Sequence, residues 1–349
     1  MKINFIVPST SSAMGGGIRV IFRHADFLSQ QGHDVAVYVP MLYHFGGKIN
    51  LKTSIANTFI RRTKVRWTKC SFKVKLAFMI KNAFIRDADI VIATAFYTAP
   101  YVYALSAKKG KKIYFIQDYE VWGQDPTVVD NTYRLDMKRI VITKSLHNLL
   151  YNKFGVESDI VYNGHAKEEF LHSEKTKNNP KTVMMLWNNA EYKGSYQALE
   201  ILKRMHKKYS IGIRFFSVLP KPDLPDYVDF YHCPKRTDLI KLYRQSEIYL
   251  FPSTDESWGL PVIEAMANKC AVVGMSTGCL DDSCEDGKQA LIAENGDYLS
   301  LESKLEQVIQ NDDLMSALQQ NGYDFSLQFS WEKQCRLFED CLIKLYNKQ

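Results

Sequence analysis

The sequence predicts an α/β protein of two doubly wound parallel-sheet domains, similar in size, with a cleft between them. Three observations carry that prediction. Short, continuously apolar runs alternate with amphipathic helical stretches, as strands do when both faces of their sheet are covered. The alternation starts afresh after a polar stretch at 166–181. The chain's 349 residues, 46% of them hydrophobic, are enough for about two domains with cores of their own.

Ile3–Val7 reads as a buried strand, followed by the loop glycines Gly15, Gly16 and Gly17. From Ile18 to Gln31 apolar residues recur at helical spacing (Val20, Ile21, His24, Phe27, Leu28), and Gly32 stands where a helix ends in the left-handed conformation. Further strands read at Asp34–Val39, Ile90–Thr94, Lys112–Ile116, Arg139–Thr143 and Asp159–Val161. Residues 166–181, rich in Glu, Lys and Asn, form the expected linker. Beyond it strands read at Val183–Leu186, Gly212–Ser217, Val228–Tyr231, Ile248–Phe251 and Ala271–Gly274, with helices at Ser195–Tyr209, Thr237–Gln245 and Pro261–Asn268. The last helix, from about Trp331, gathers Cys335, Phe338 and Leu342 on one face that must pack on something, the N-terminal domain being the candidate. The expected division is therefore 1–165, a linker at 166–181, a second domain at 182–330 and a terminal helix at 331–349.

Composition narrows the class. So apolar a chain is neither disordered, collagenous nor a coiled coil. No apolar run reaches the roughly 18 residues of a membrane-spanning helix, and the opening lacks the pattern of a secretory signal. Seven cysteines without a Cys-x-x-Cys pair read as core thiols of a cytoplasmic protein rather than a zinc site. The net charge of +7 divides unevenly: residues 1–165 hold 23 basic against 11 acidic side chains, a balance of +12, and residues 166–349 stand at −5.

The glycines after the first strand invite a dinucleotide-site reading, and the spacing rejects it. A Gly-x-Gly-x-x-Gly fingerprint would need glycine at Val20, and the second strand ends at Tyr38-Val39-Pro40 without the ribose-binding acid. What survives is a set of backbone N–H groups opening a helix, suited to an anion.

The most informative segment is Pro252–Ala267, PSTDESWGLPVIEAMA, where a strand leads through a polar loop into a helix. Pro261 stands at the expected first helical position, which leaves Glu256 in the loop and Glu264 in the first helical turn. Eight residues apart, the two acids reach different parts of one ligand across the helix N-terminus, whose free amides attract phosphate. Gly259 allows close backbone approach. Two acids that merely offset the helix dipole would account for Glu264 but not for Glu256, Trp258 and Gly259 together.

This run resembles the Glu-x7-Glu motif of retaining GT-B glycosyltransferases, particularly family 4. The similarity continues through Ala271-Val272-Val273, Gly278, Glu285-Asp286-Gly287 and Leu291–Asp297, and it includes Gly15–Gly17 and Asn163-Gly164. The resemblance implies two Rossmann-like domains and transfer of a sugar from a nucleotide-diphosphate donor. Glu264 would hold the nucleotide ribose and Glu256 the donor sugar, with Lys193 of the Lys193-Gly194 pair the cation for the diphosphate. Ser257, Trp258, Gly259 and Leu260 would complete the donor site, and Gly16 and Gly17 would approach its phosphate. Asn188 stands where the family usually has a second phosphate-binding Arg, so Arg19 or Arg236 would have to supply that charge. Gln117, beside Asp118, replaces a His that reaches the sugar's 6-hydroxyl, a change that hints at a 6-deoxy sugar such as rhamnose. Asp281-Asp282 are adjacent and lack the spacer of an Asp-x-Asp metal pair, and catalysis is expected to need no metal or other cofactor.

Between residues 61 and 86 basic side chains (Arg61, Arg62, Lys64, Arg66, Lys69, Lys73, Lys75) mingle with Trp67, Phe72, Phe78 and Phe84. Such a mixture suits an anionic membrane surface, here the inner face of the cell membrane, and a lipid-pyrophosphate-linked glycan acceptor. The bland alternative is a solvated face beside core aromatics. No nucleic-acid-binding signature accompanies the charge. Two function classes stay open: a glycosyltransferase of cell-surface polysaccharide synthesis, and a non-catalytic subunit that binds a nucleotide sugar or glycan.

Overall fold

Strands that are apolar on both faces stay buried only inside a sheet with helices on each side, and this chain forms two such sheets. The computed structural model describes residues 1–8, 16–42, 44–45, 48–49, 69–121, 125–173, 175 and 178–347. It divides into two units: Met1–Asn163 together with Glu332–Gln349, and Gly164–Trp331. Two parallel sheets, one in each unit, agree with the two doubly wound domains expected from the sequence.

The first unit holds a seven-stranded sheet. Its strands, in spatial order, are β5 (Lys73–Ala77), β2 (Asp34–Pro40), β1 (Lys2–Ile6), β6 (Ile90–Ala93), β7 (Lys111–Ile116), β8 (Lys138–Val141) and β9 (Asp159–Ile160), and every pairing is parallel. A separate short hairpin pairs β3 (His44–Phe45) with β4 (Lys48–Ile49). Ile3 lies opposite Val35 on one side and Ile90 on the other, which keeps the middle of the sheet dry.

Two expectations change here. The first helix spans Gly16–Gln30, so Gly16 and Gly17 form its opening turn rather than a loop. The basic stretch is in part an edge strand: Lys73 and Lys75 belong to β5, with Tyr38 opposite Lys75 and the Lys75 ammonium 5.8 Å from the Tyr38 ring. Lysines on an edge strand block further strand pairing. Phe72 is buried edge-on against Phe22, whereas Phe78 and Phe84 are exposed and lie against each other at 5.6 Å. Lys69 precedes β5, and Arg61, Arg62, Lys64, Arg66 and Trp67 lie outside the described residues.

The C-terminal helix, Trp331–Asn347, contributes Phe338 to the core of the first unit. The ring stacks on His24 at 4.3 Å and meets Phe115 at 5.2 Å and Phe5 at 6.3 Å. Burial pushes the His24 imidazole down to about 3, so it serves there as a neutral ring.

The second unit holds a six-stranded parallel sheet in the order β12 (Val228–His232), β11 (Gly212–Ser217), β10 (Thr182–Leu186), β13 (Ile248–Phe251), β14 (Ala271–Met275) and β15 (Ala290–Ala293). Met185, Phe215 and Leu250 pack against Leu202, Leu305 and Leu318 from the covering helices. Residues 166–171 lie in this unit: Phe170 and Leu171 are buried, and the Leu171 N–H donates to the Ala267 carbonyl at 2.9 Å. No helix among the described residues is long and apolar enough to cross a membrane.

Truncating Phe338 leaves a ring-sized cavity between three aromatic neighbours. Phe338→Ala is expected to cost about 3–5 kcal/mol, measured as a lower denaturant midpoint with the slope unchanged.

Candidate active site

In the second sheet the first strand, β10, lies in the middle, and the chain leaves it in opposite directions towards β11 and β13. The carboxyl ends of β10 and β13 flank that reversal, the place where open α/β sheets bind ligands. The loop after β10 carries Asn188, Lys193 and Gly194; the loop after β13 carries Glu256, Ser257 and Gly259. Two segments far apart in sequence therefore meet by topology alone.

Lys193 and Glu256 form an ion pair across these loops, with side-chain exposures of only 15% and 19%. Their backbones are braced. The Thr254 N–H donates to the Tyr192 carbonyl at 2.7 Å, the Glu256 N–H to Thr277 Oγ1 at 3.2 Å, and the Cys279 N–H to the Trp258 carbonyl at 2.7 Å. Gly194 is required where it stands: its φ is +61°, and a Cβ there would lie 2.4 Å from the Pro252 carbonyl oxygen.

The helix after β13 starts one residue earlier than expected, at Leu260, with Gly259 as its N-cap at φ 81° and Pro261 second. Glu264 therefore stands in the second helical turn rather than the first. Pro261 has no N–H, and that of Val262 donates to the Gly259 carbonyl at 2.9 Å, so this terminus offers an anion fewer amides than the sequence suggests. Trp258 is a core residue: 2% exposed, its ring meets Phe329 at 5.2 Å. The Asn188 side chain accepts from the Ala190 N–H at 2.9 Å and shapes its own turn. Ser257 and Leu260 are half-buried beside these residues.

Glu264 has partners that no local pattern announces. Its Oε1 accepts from Arg236 Nη1 at 2.7 Å and its Oε2 from the Tyr243 hydroxyl at 3.1 Å. The other edge of the Arg236 guanidinium is a two-point bond to Glu169, with Nε–Oε1 at 2.8 Å. Burial alone would lower the Arg236 pKa, but the Glu169 bond and the charges of Glu264 and Glu169 outweigh it and raise it. Arg236 is thus committed to two carboxylates and is no spare cation for a phosphate. Burial lowers the nearby His165, against the opposing charges of Glu264 and Glu169. Arg236, Tyr243 and Glu169 are the site residues that sequence reasoning missed in these roles.

In the first unit the sheet also reverses beside its first strand, between β2 and β6. Gly17 opens the helix after β1, and Gln117 follows β7. The Gln117 Nε2 donates to the Gly17 carbonyl at 3.2 Å, which leaves Oε1 buried and without a partner among the described residues. Arg19 points from the same helix to solvent. Asp118 accepts its neighbour's Tyr119 N–H at 2.8 Å. Two residues on, the Glu120 carboxyl accepts the Phe96 N–H at 2.5 Å, and burial pushes its pKa up to about 8, with the Asp118 charge adding to the rise. It is a carboxylic acid that stays protonated at neutral pH.

With this geometry in view, comparison with known proteins places the chain. Residues 221–325, which include Arg236, Glu256 and Glu264, match the family described as Glycosyl transferases group 1. This segment is thus similar to group 1 glycosyltransferases, and the two parallel-sheet units have a GT-B-type fold. Over 111 residues it is 31% identical to the D-inositol 3-phosphate glycosyltransferase of Corynebacterium kroppenstedtii, covering 31% of this chain and 25% of that protein. Over 194 residues it is 25% identical to the O-antigen chain mannosyltransferase RfbU of Salmonella typhimurium, covering 53% of each. The match thus spans only about a quarter to a half of these relatives' length. Among solved structures, sucrose-phosphate synthase from Thermosynechococcus elongatus superposes with a TM-score of 0.74 over 100% of both chains at 12% identity. Anabaena HepE in complex with UDP-glucose gives 0.74 at 14% identity, covering 99% of this chain and 100% of that one.

The Glu120 carboxyl also sets a dependence on pH. Folding raises its pKa above the ordinary 4.5, so its stabilising contribution is complete below that pH and is lost as the pH rises through about 8. Glu120→Gln, neutral at every pH, is expected to flatten the loss: between pH 5 and 8 the wild-type melting temperature falls further than the variant's. Gly194→Ala is expected to cost about 1–3 kcal/mol through its strained backbone, read by chemical denaturation.

Proposed function

We propose that this protein is a retaining glycosyltransferase that moves a sugar from a nucleotide-diphosphate donor to a glycan acceptor in cell-surface polysaccharide synthesis. The observation that carries the reading is the Lys193–Glu256 pair at the reversal point of the second sheet, one helix away from Glu264. A departing diphosphate needs positive charge where its own charge develops. Lys193 supplies it, already oriented by Glu256. Glu256 in turn faces the donor sugar, and Glu264 offers its carboxylate oxygens to the two ribose hydroxyls.

The chemistry asks little more of the protein. In a retaining site of this kind the departing phosphate takes the acceptor's proton, so no separate base and no metal are assigned. Relatives named for O-antigen and capsular polysaccharide synthesis support a glycan product. The exposed Phe78–Phe84 pair beside Lys81 supports contact with an anionic membrane surface on the cytoplasmic side, where a lipid-linked acceptor would be met.

A non-catalytic, sugar-binding subunit remains the rival reading, and one assay separates the two: release of nucleoside diphosphate when acceptor is added.

In that assay Lys193→Ala and Glu256→Gln are each expected to lower turnover by about 10²–10³-fold, in a chain that still folds but melts at a lower temperature because one charge loses its partner. Turnover retained in both variants would remove the assignment.

A further inference from the structure

Glu264 is a flexible side chain asked to hold two hydroxyls at once. Left free, it would lose rotamer entropy on doing so. The structure shows what removes that freedom. Arg236 Nη1 holds Oε1 and the Tyr243 hydroxyl holds Oε2, so each oxygen keeps a lone pair for one hydroxyl of a vicinal diol. Tyr243 is fully buried, and burial with the Glu264 charge keeps its phenol protonated, hence always a donor.

Arg236 would be a poor anchor if it could swing. Its Nε and Nη2 are fixed by the Glu169 carboxylate, and Glu169 sits on a turn, Lys167–Glu169, that is itself clamped. Arg244 Nη2 reaches the Glu169 and Phe170 carbonyls at 3.4 and 3.3 Å, and Leu171 is tied to Ala267 at the end of the helix that carries Glu264. One planar guanidinium bridges two carboxylates, a geometry that lysine cannot reproduce. It also offsets the charge of Glu264, which would otherwise repel an anionic diphosphate.

We infer that Arg236, locked by Glu169, is the positioning residue that presents the Glu264 carboxylate to the donor's ribose. The inference rests on the proposed ribose role of Glu264 and adds the device that makes that role specific.

The test compares UDP, GDP and ADP with the analogue of each that lacks both ribose hydroxyls, using titration calorimetry on the full chain. For whichever diphosphate binds, wild type is expected to prefer the ribo form by about tenfold or more, and Glu264→Gln to narrow that preference. In Arg236→Gln the ratio is expected to fall to within about threefold, because the ribo form loses more affinity than the analogue. A merely structural ion pair would weaken both ligands alike and leave the ratio intact, and that result overturns the inference while the ribose role of Glu264 stands. A wild type that does not distinguish the two forms overturns both. Should Arg236→Gln fail to fold, Glu169→Ala carries the same test, and an undiminished ratio there overturns the inference.

Discussion

A parallel sheet whose first strand lies in its middle must send the chain out in two directions, and everything distinctive about the second unit depends on that reversal. Helices cover the faces to either side, but at the carboxyl ends of β10 and β13 the connections diverge. Lys193 and Glu256 lie on the two diverging loops, far apart in the chain and in contact in the fold. Their loops bond directly to each other through Thr254 and Tyr192, and Thr277 and Cys279 from the turn after β14 hold the Glu256 side. The pair is thus fixed by backbone hydrogen bonds on both sides rather than by its own attraction.

Charge is managed locally, not by the average. The second half of the chain is net acidic, yet its proposed donor site must receive a dianion. Each acid there is matched: Glu256 by Lys193, Glu264 and Glu169 by the single guanidinium of Arg236. These groups are largely removed from water, where unmatched charges would be costly and matched ones interact strongly. The first unit follows the opposite course at Glu120, where the described residues supply no cation and burial raises the pKa of the acid.

The fold was legible wherever burial was complete. Ile248–Phe251, Gly212–Ser217 and the helix Ser195–Tyr209 read to the residue because apolar strands and a two-faced helix leave strong periodic marks. β5 did not, because on an edge strand Lys-Val-Lys-Leu-Ala alternates charge with half-buried apolar groups and looks like a basic amphipathic stretch. In the second unit the resemblance singled out Glu256, Glu264 and Lys193, and the fold places them on the segments that follow β13 and β10. Trp258 was misread as facing the donor because a sequence does not say which side of a loop a ring takes. Tyr243, Glu169 and the two-carboxylate role of Arg236 were invisible for another reason: Arg236 and Glu169 are 67 positions apart, and only the packing of the helix Arg236–Arg244 against the 167–171 turn brings them together.

Matched acids also bear on how a donor would be received. In the free protein Lys193 and Glu256 satisfy each other, so neither stands desolvated and unpaired. In the proposed function a bound diphosphate would take over the ammonium, and a sugar hydroxyl the carboxylate, so that one set of charged hydrogen bonds would be exchanged for another within the same walls. The dehydration that an empty site of separated charges would face at binding has largely occurred during folding. Glu264 differs, because its two protein partners would stay in place under the proposed ribose and the ligand would add to them. One acid would exchange its partner while the other kept both, and on the proposed reading that contrast divides the second unit into a part that follows the reacting end of the donor and a part that holds its nucleotide still.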